Sequence, residues 1–171
     1  MIAVPQDRLG DARAEVEGLS EVVVVPGGHT RQGSVRAALE LVDSDTVVVH
    51  DAARPLAPAA LFDAVVEALT EADGAVPGAA LDETLKRAKE GRIVETIERA
   101  GLYQIQTPQA FKTTALKEAH RRAHRDGFEG TDDAQLLERL GYRIVLVEGT
   151  APNPKLTHPA DFELAEALLR A

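Results

Sequence analysis

Short apolar runs rich in β-branched residues, each closed by proline, glycine or an acid, alternate along the chain with stretches whose apolar residues return every third or fourth position. The first texture is that of strands in a sheet covered on both faces, the second that of helices packed on it by one stripe. Strands are expected at Ile2-Ala3-Val4, Glu21 to Val25, Thr46 to Val49, Gly74 to Ala80, Tyr103 to Gln106 and Tyr142 to Val147. Helices are expected at Leu9–Val16, at about Gln32–Val42, and at Ala57–Ala72, where Leu61, Phe62, Val65, Val66 and Leu69 share a face. Three more follow at about Thr113–Arg125, Asp133–Leu140 and Pro159–Leu169, the last with proline in its first turn.

Between Glu83 and Ala100 the pattern changes. Charged residues alternate loosely with Leu85, Ile93, Val94 and Ile97 around Lys89-Glu90-Gly91-Arg92, the signature of a polar hairpin with a glycine turn. Such a hairpin buries little against its own core and is expected to project as an arm, at about 83–100, that a partner chain completes. Elsewhere strand and helix alternate, which predicts an α/β fold with a doubly wound, mostly parallel, Rossmann-like sheet.

A length of 171 residues with 44% hydrophobic content suits one packed core, so residues 1–171 are read as a single domain. No run reaches the about 18 apolar residues of a membrane span. The absence of cysteine excludes disulfides and a thiol nucleophile and agrees with a reducing cytoplasm. A formal net charge of −9 opposes nucleic acid as partner, whereas an anionic small molecule needs only a local convergence of arginine and lysine.

The chemistry-bearing residues cluster at the ends of expected strands, where open α/β sheets bind ligands. His50-Asp51-Ala52-Ala53-Arg54-Pro55 closes the strand at 46–49: Asp51 can accept from hydroxyls or sit near a metal, and Arg54 can fork onto a phosphate. Turn carboxylate and surface arginine are the plainer alternatives. His50 reads as structural, having no second histidine at ligand spacing. Gly27-Gly28-His29-Thr30-Arg31-Gln32-Gly33-Ser34 joins a strand to a helix, where free N–H groups favour an anion or a polar nucleotide edge. Ser34-Val35 stands where a P-loop needs Lys-Ser/Thr, and the dinucleotide fingerprint G-x-G-x-x-G is missing, which argues against an oxidoreductase. Thr84, Lys86, Arg87 and Arg99, and the loops Thr107-Pro108-Gln109, Thr131-Asp132-Asp133 and Asn153-Pro154-Lys155, are each ambiguous alone.

Their order is informative. Gly-Gly-x-x-Arg-Gln-x-Ser-Val, His-Asp-Ala-Ala-Arg-Pro, Thr-x-Lys-Arg, Gln-Thr-Pro-Gln, Thr-Asp-Asp and Val-Glu-Gly-x-x-x-Asn-x-Lys, in that succession, closely resemble the 2-C-methyl-D-erythritol 4-phosphate cytidylyltransferases of the non-mevalonate isoprenoid pathway. The resemblance covers essentially the whole chain, and His-Asp-Ala-Ala-Arg-Pro is its most specific element. It implies a nucleotidyltransferase that moves CMP from CTP to methylerythritol phosphate with Mg²⁺ present, in a cytoplasmic homodimer joined through the arm. By the same resemblance Gly27, Gly28, Arg31 and Ser34 lie on the CTP side. Asp51, Arg54, Thr84, Arg99, Thr107, Thr131 and Lys155 lie on the sugar-phosphate side, with Asp51 a candidate neighbour of the metal.

One departure stands out. The family opens with a strand and a Gly-rich loop whose arginine, with the lysine of a following Pro-Lys-Gln segment, stabilises the transition state; nothing here corresponds, and Ile2-Ala3-Val4-Pro5 matches the family's next strand. The expectation is a chain lacking its N-terminal βα unit, with no catalytic cation of its own and little or no activity as written. The alternatives are a non-catalytic sugar-phosphate-binding or dimerisation paralogue, and a cytidylyltransferase for another polyol phosphate such as ribitol 5-phosphate.

Overall fold

In the computed structural model, which describes residues 1–149 and 153–170, the chain begins with β1 (Ile2–Val4), α1 (Leu9–Glu15), β2 (Val24–Pro26), α2 (Arg31–Leu39), β3 (Thr46–Val49) and α3 (Ala59–Glu67). It continues through β4 (Gly74–Ala80), β5 (Leu85–Lys89), β6 (Arg92–Ile97), β7 (Tyr103–Ile105), β8 (Gln109–Lys112), α4 (Thr113–Asp126), α5 (Asp133–Glu138), β9 (Ile144–Glu148) and α6 (Pro159–Arg170). Positions 150–152, inside the Val-Glu-Gly-x-x-x-Asn-x-Lys motif, lie outside the described residues.

β4 is the axis. β9 runs parallel along one edge, and β8 and β7 lie end to end, antiparallel, along the other. β8 also pairs antiparallel with β3, giving the path β3-β8-β4. β3, β4 and β9 therefore share a direction, as a doubly wound sheet requires. The expected mostly parallel pairing is nevertheless corrected: β8 is inserted between β3 and β4, and within this sheet only β4–β9 is hydrogen-bonded in parallel. No strand was expected at 109–112, because Gln109-Ala110-Phe111-Lys112 is too short and mixed to stand out from the helix that follows it.

Alternate residues of the central strands face opposite layers. Val76 and Phe111 pack with Leu116, Ala119, Leu136 and Leu137 of α4 and α5, while Ala75 and Ala110 pack with Val65 of α3 and Leu69 of the 3₁₀ turn after it. The glycine spacing of β4 has a steric cause. A Cβ on Gly74 would stand 2.7 Å from Ile144 Cδ1 and 2.8 Å from Phe111 Cδ1, so any side chain there would force the Ile144 tip and the buried Phe111 ring to shift.

β1 and β2 form a separate parallel pair. Between β1 and β3, over α2, lies a trough of about 590 Å³ lined by Ile2, Val35, Ala38, Leu39, Val47 and Val49 and opening at Asp51. β3 is accordingly only half-buried along its length, not covered on both faces as its composition suggests. The arm forms as expected: among the described residues β5 and β6 pair only with each other, across a turn whose Glu90 (φ 51) and Gly91 (φ 76) are both left-handed, as a two-residue hairpin turn demands. No helix among the described residues is long and apolar enough to cross a membrane.

Candidate functional site

The antiparallel register of β3 on β8 sets Val49 against Gln109. Continued by two residues, it brings Asp51 opposite Thr107, in the break between β7 and β8 where the Thr107–Pro108 peptide is cis. There the Asp51 backbone N–H donates to Thr107 Oγ1 at 3.0 Å. Thr107 Oγ1 also lies 3.1 Å from His50 Nδ1, and His50 Nε2 lies 3.0 Å from the Arg54 carbonyl. A carbonyl only accepts, so Nε2 carries the proton and Nδ1 accepts from the threonine hydroxyl. His50 thus fixes the loop, the structural role its isolation suggests.

Arg54 is buried, and its Nη1 donates to the Asn153 carbonyl at 2.7 Å. Asn153 Nδ2 returns a bond to the Thr107 carbonyl at 2.8 Å, and Leu156 N–H donates to the Ala53 carbonyl at 2.7 Å. These bonds hold the 153–156 segment against the corner and set Lys155 Nζ 2.9 Å from Asp51 Oδ2. Burial pulls the Arg54 guanidinium below its ordinary value, opposed by the charge of Asp51. Its Nε is buried with no hydrogen-bond partner among the described residues.

The other Asp51 oxygen, Oδ1, accepts from Arg31 Nε at 3.0 Å. Arg31 in turn donates through Nη1 to Asp133 Oδ2 at 2.6 Å, and His120 Nε2 meets Asp133 Oδ1 at 2.8 Å. Lys155, Asp51, Arg31, Asp133 and His120 form one chain of contacts from the exposed loop into the core. Burial pushes both carboxyls up, but their partners outweigh it: Lys155 and Arg31 hold Asp51 below the usual carboxylate range, and His120 and Arg31 do the same for Asp133. Arg31 is half-buried, which lowers it, yet the two acids raise it overall.

The turn before α2 lies on the same wall. Thr30 caps the helix by accepting the Gly33 N–H at 3.1 Å. Ser34 Oγ accepts from Gly28 N–H at 3.1 Å and donates to the Thr30 carbonyl at 3.0 Å, so its hydroxyl shapes the turn. Ser34, Arg31 and Asp51 all line the trough.

Gly27, Gly28, Arg31, Ser34, Asp51, Arg54, Thr107 and Lys155 are therefore brought to one region. Thr131 stands apart from the ion chain, exposed, its N–H bonded to Gln135 Oε1 at 2.8 Å at the start of α5. Thr84 and Arg99 lie exposed on the arm, where Arg99 anchors the base through the Leu81 and Asp82 carbonyls. Both Asp51 oxygens are engaged by cations, and no group of three or more His, Cys, Asp or Glu that could hold a metal occurs among the described residues. The residues present do not fit a protein-held Mg²⁺ at Asp51.

Sequence reasoning singled out the Thr131-Asp132-Asp133 loop but carried only Thr131 to the site, and missed the Asp133 carboxylate and His120 as parts of it. A signal existed: His120 falls on the α4 stripe with Leu116, Ala119 and Ala123, and a histidine on a buried stripe requires a polar partner.

The family model described as IspD, 2-C-methyl-D-erythritol 4-phosphate cytidylyltransferase, matches residues 1–171. The chain is 46% identical over 154 residues to the Bacillus velezensis protein named 2-C-methyl-D-erythritol 4-phosphate cytidylyltransferase, covering 89% of this chain and 66% of that one. It is 40% identical over 169 residues to the Aquifex aeolicus protein of the same name, covering 99% and 77%. The Thermus thermophilus enzyme's crystal structure superposes with a TM-score of 0.85 at 43% identity, over 91% of this chain and 76% of that one. That of the Anaerococcus prevotii 4-diphosphocytidyl-2C-methyl-D-erythritol synthase gives 0.90 at 27% identity, over 99% and 80%. The chain thus spans just under two thirds of the length of the Bacillus velezensis and Bacillus pumilus relatives.

Proposed function

Because the chain belongs to the 2-C-methyl-D-erythritol 4-phosphate cytidylyltransferase family, we propose that it binds methylerythritol phosphate at the Asp51 corner and serves transfer of CMP to it from CTP in isoprenoid precursor synthesis. The observation that carries this reading is Asp51 held between Arg31 and Lys155 at 3.0 and 2.9 Å, with Arg54 and Thr107 beside it. Each carboxylate oxygen keeps a free lone-pair direction for a polyol hydroxyl, while Lys155 and Arg54 supply cations for a phosphate. Against a net charge of −9, an anion needs such a local convergence of cations.

In the reaction an acceptor-phosphate oxygen forms a bond to the α-phosphorus of CTP as the bond from that phosphorus to the bridging oxygen breaks, and pyrophosphate leaves with the electron pair. No protein nucleophile is needed; the work is to hold two anions in line and offset their repulsion. We assign the base and ribose of CTP to the turn of Gly27, Gly28 and Ser34, and Thr131 and Lys155 to the far side of the phosphates. Arg31 links the two halves of the site. Mg²⁺ belongs in this reading to the nucleotide's own phosphates, a common mode for this ion.

We further propose a cytoplasmic homodimer joined through the arm. Its strands bond only to each other, and Ile93 and Val94 are 67% and 56% exposed, apolar surface that a second copy would cover. Thr84 and Arg99 would then approach the partner's acceptor site.

The test is pyrophosphate release from CTP with methylerythritol phosphate or ribitol 5-phosphate as acceptor, alongside calorimetric titration of each compound. Release that depends on methylerythritol phosphate supports transfer. Binding of that acceptor without release reduces the chain to a sugar-phosphate-binding member, and absence of both overturns the reading.

A further inference from the structure

The mechanism above uses Asp51 and Arg31 and leaves unexplained why a carboxylate and an imidazole, each only 1% exposed, stand behind them. Burying the Asp133 carboxylate is costly unless its charge is matched. It is matched on both oxygens, by Arg31 Nη1 at 2.6 Å and His120 Nε2 at 2.8 Å. Its neighbour Asp132 faces elsewhere, capping α5 through Gln135 N–H and accepting from Gln109 Nε2 at 3.0 Å, next to the Thr107–Pro108 break. A third tie comes from Gln32, whose amide accepts the Gly130 N–H and donates to the Phe128 carbonyl. The loop between α4 and α5 is thus fastened to both walls of the corner, and Asp133 is its link to the Arg31 wall.

Arg31 has a flexible stem and its side chain is about one third exposed. With Asp51 as sole partner it would sample several rotamers, and Asp51 would lose one of its two fixed donors. We infer that Asp133, backed by His120, is a positioning residue that holds the Arg31 guanidinium against Asp51 and thereby presets the acceptor site. His120 lies on the buried stripe of α4 with Leu116, Ala119 and Ala123, where an apolar side chain of similar volume would leave Asp133 Oδ1 without its donor.

This inference rests on the acceptor reading above, so its test has a readout that needs no ligand. In the full chain, the Arg31 Nε–H resonance, identified by its loss in Arg31→Lys, is expected as a distinct, slowly exchanging signal. Asp133→Asn should abolish its protection and raise the dissociation constant or KM for methylerythritol phosphate by about tenfold to hundredfold, the scale of one charge-assisted hydrogen bond, a larger change than in kcat. His120→Leu should weaken both in the same direction. His120→Gln, whose amide can still donate to Asp133, should restore them. An unchanged Arg31 signal in folded Asp133→Asn and His120→Leu overturns the inference, as does a loss of acceptor affinity that His120→Gln fails to restore. If the unmodified chain binds no methylerythritol phosphate, the proposed function fails and the Arg31 signal alone decides the clamp.

Discussion

Thr107 Oγ1 accepts the backbone N–H of Asp51 at 3.0 Å and stands 3.1 Å from His50 Nδ1, so one hydroxyl closes the corner from the side of the broken strand. Removing it strands two polar groups at once. Thr107→Val, which keeps the shape, is expected to cost about 1–3 kcal/mol by urea denaturation, the range for a buried group left without a partner. Acceptor affinity should fall with it, because Asp51 loses its backbone anchor. Thr107→Ser keeps the hydroxyl and should stay near the parent on both measures. A valine variant of full stability and affinity would show that the register, not the hydroxyl, holds Asp51.

Acid should weaken the fold in part through the ion chain, alongside Asp73, held low by Lys112, and Asp161, held low by the backbone N–H groups of His158 and Thr157. Asp51 and Asp133 are held below the usual carboxylate range in the folded state by their cationic and imidazole partners. The unfolded chain binds their protons near pH 4, so their contribution is complete above about pH 4 and is lost as pH falls through the depressed folded values. Arg31, raised in the folded state, stays charged throughout that range and adds no slope. Melting temperature should therefore be flat from neutral pH down to about 5 and fall steeply below about 4. Asp133→Asn should have a lower plateau and a shallower acid limb. An acid limb equally steep in the variant would place the loss elsewhere.

Much of this arrangement is legible in the chain because local pattern and tertiary role coincide. The strand at 46–49, the helix over Leu61 and Val65 and the arm with its Glu90-Gly91 turn sit where alternation, apolar stripe and turn chemistry put them. β8 is not legible, since its strand character comes from pairing on both sides with β3 and β4, which no window of four residues contains. The same limit hides the ion chain: Asp133 is 102 residues from Arg31, and only the fold makes them neighbours. α2 ends at Leu39 rather than at Val42, because its apolar stripe continues into the turn that leads to β3, whereas α4 and α6 run to Asp126 and Arg170, one residue past their expected ends.

The glycine turn before α2 offers a steric test. A Cβ on Gly28 would lie 2.7 Å from the Gly33 carbonyl carbon and 2.8 Å from its Cα, and backbone atoms cannot swing away as a side chain can. Gly28→Ala must therefore open the turn, breaking the Gly28 N–H bond to Ser34 and the shape assigned to the cytidine side. A stability loss of about 1–3 kcal/mol is expected, the usual cost of overpacking. CTP binding, read by calorimetry, should drop much more than methylerythritol phosphate binding. Equal losses for both ligands would argue that the turn and the Asp51 corner respond as one unit.

The arm separates assembly from folding. Ile93 and Val94 are exposed on a strand paired only with β5, so charged replacements remove no core contact, and Ile93→Lys with Val94→Glu should change monomer stability by no more than about 0.5 kcal/mol. If a second copy covers the arm, the same pair of changes places charge in an apolar interface and should shift the sedimenting species from dimer to monomer. Pyrophosphate release should fall in parallel if Thr84 and Arg99 complete the partner's site. Recovery of activity at protein concentrations high enough to restore the dimer would tie the loss to assembly. A monomer of undiminished activity would confine the arm to association and remove Thr84 and Arg99 from the acceptor site.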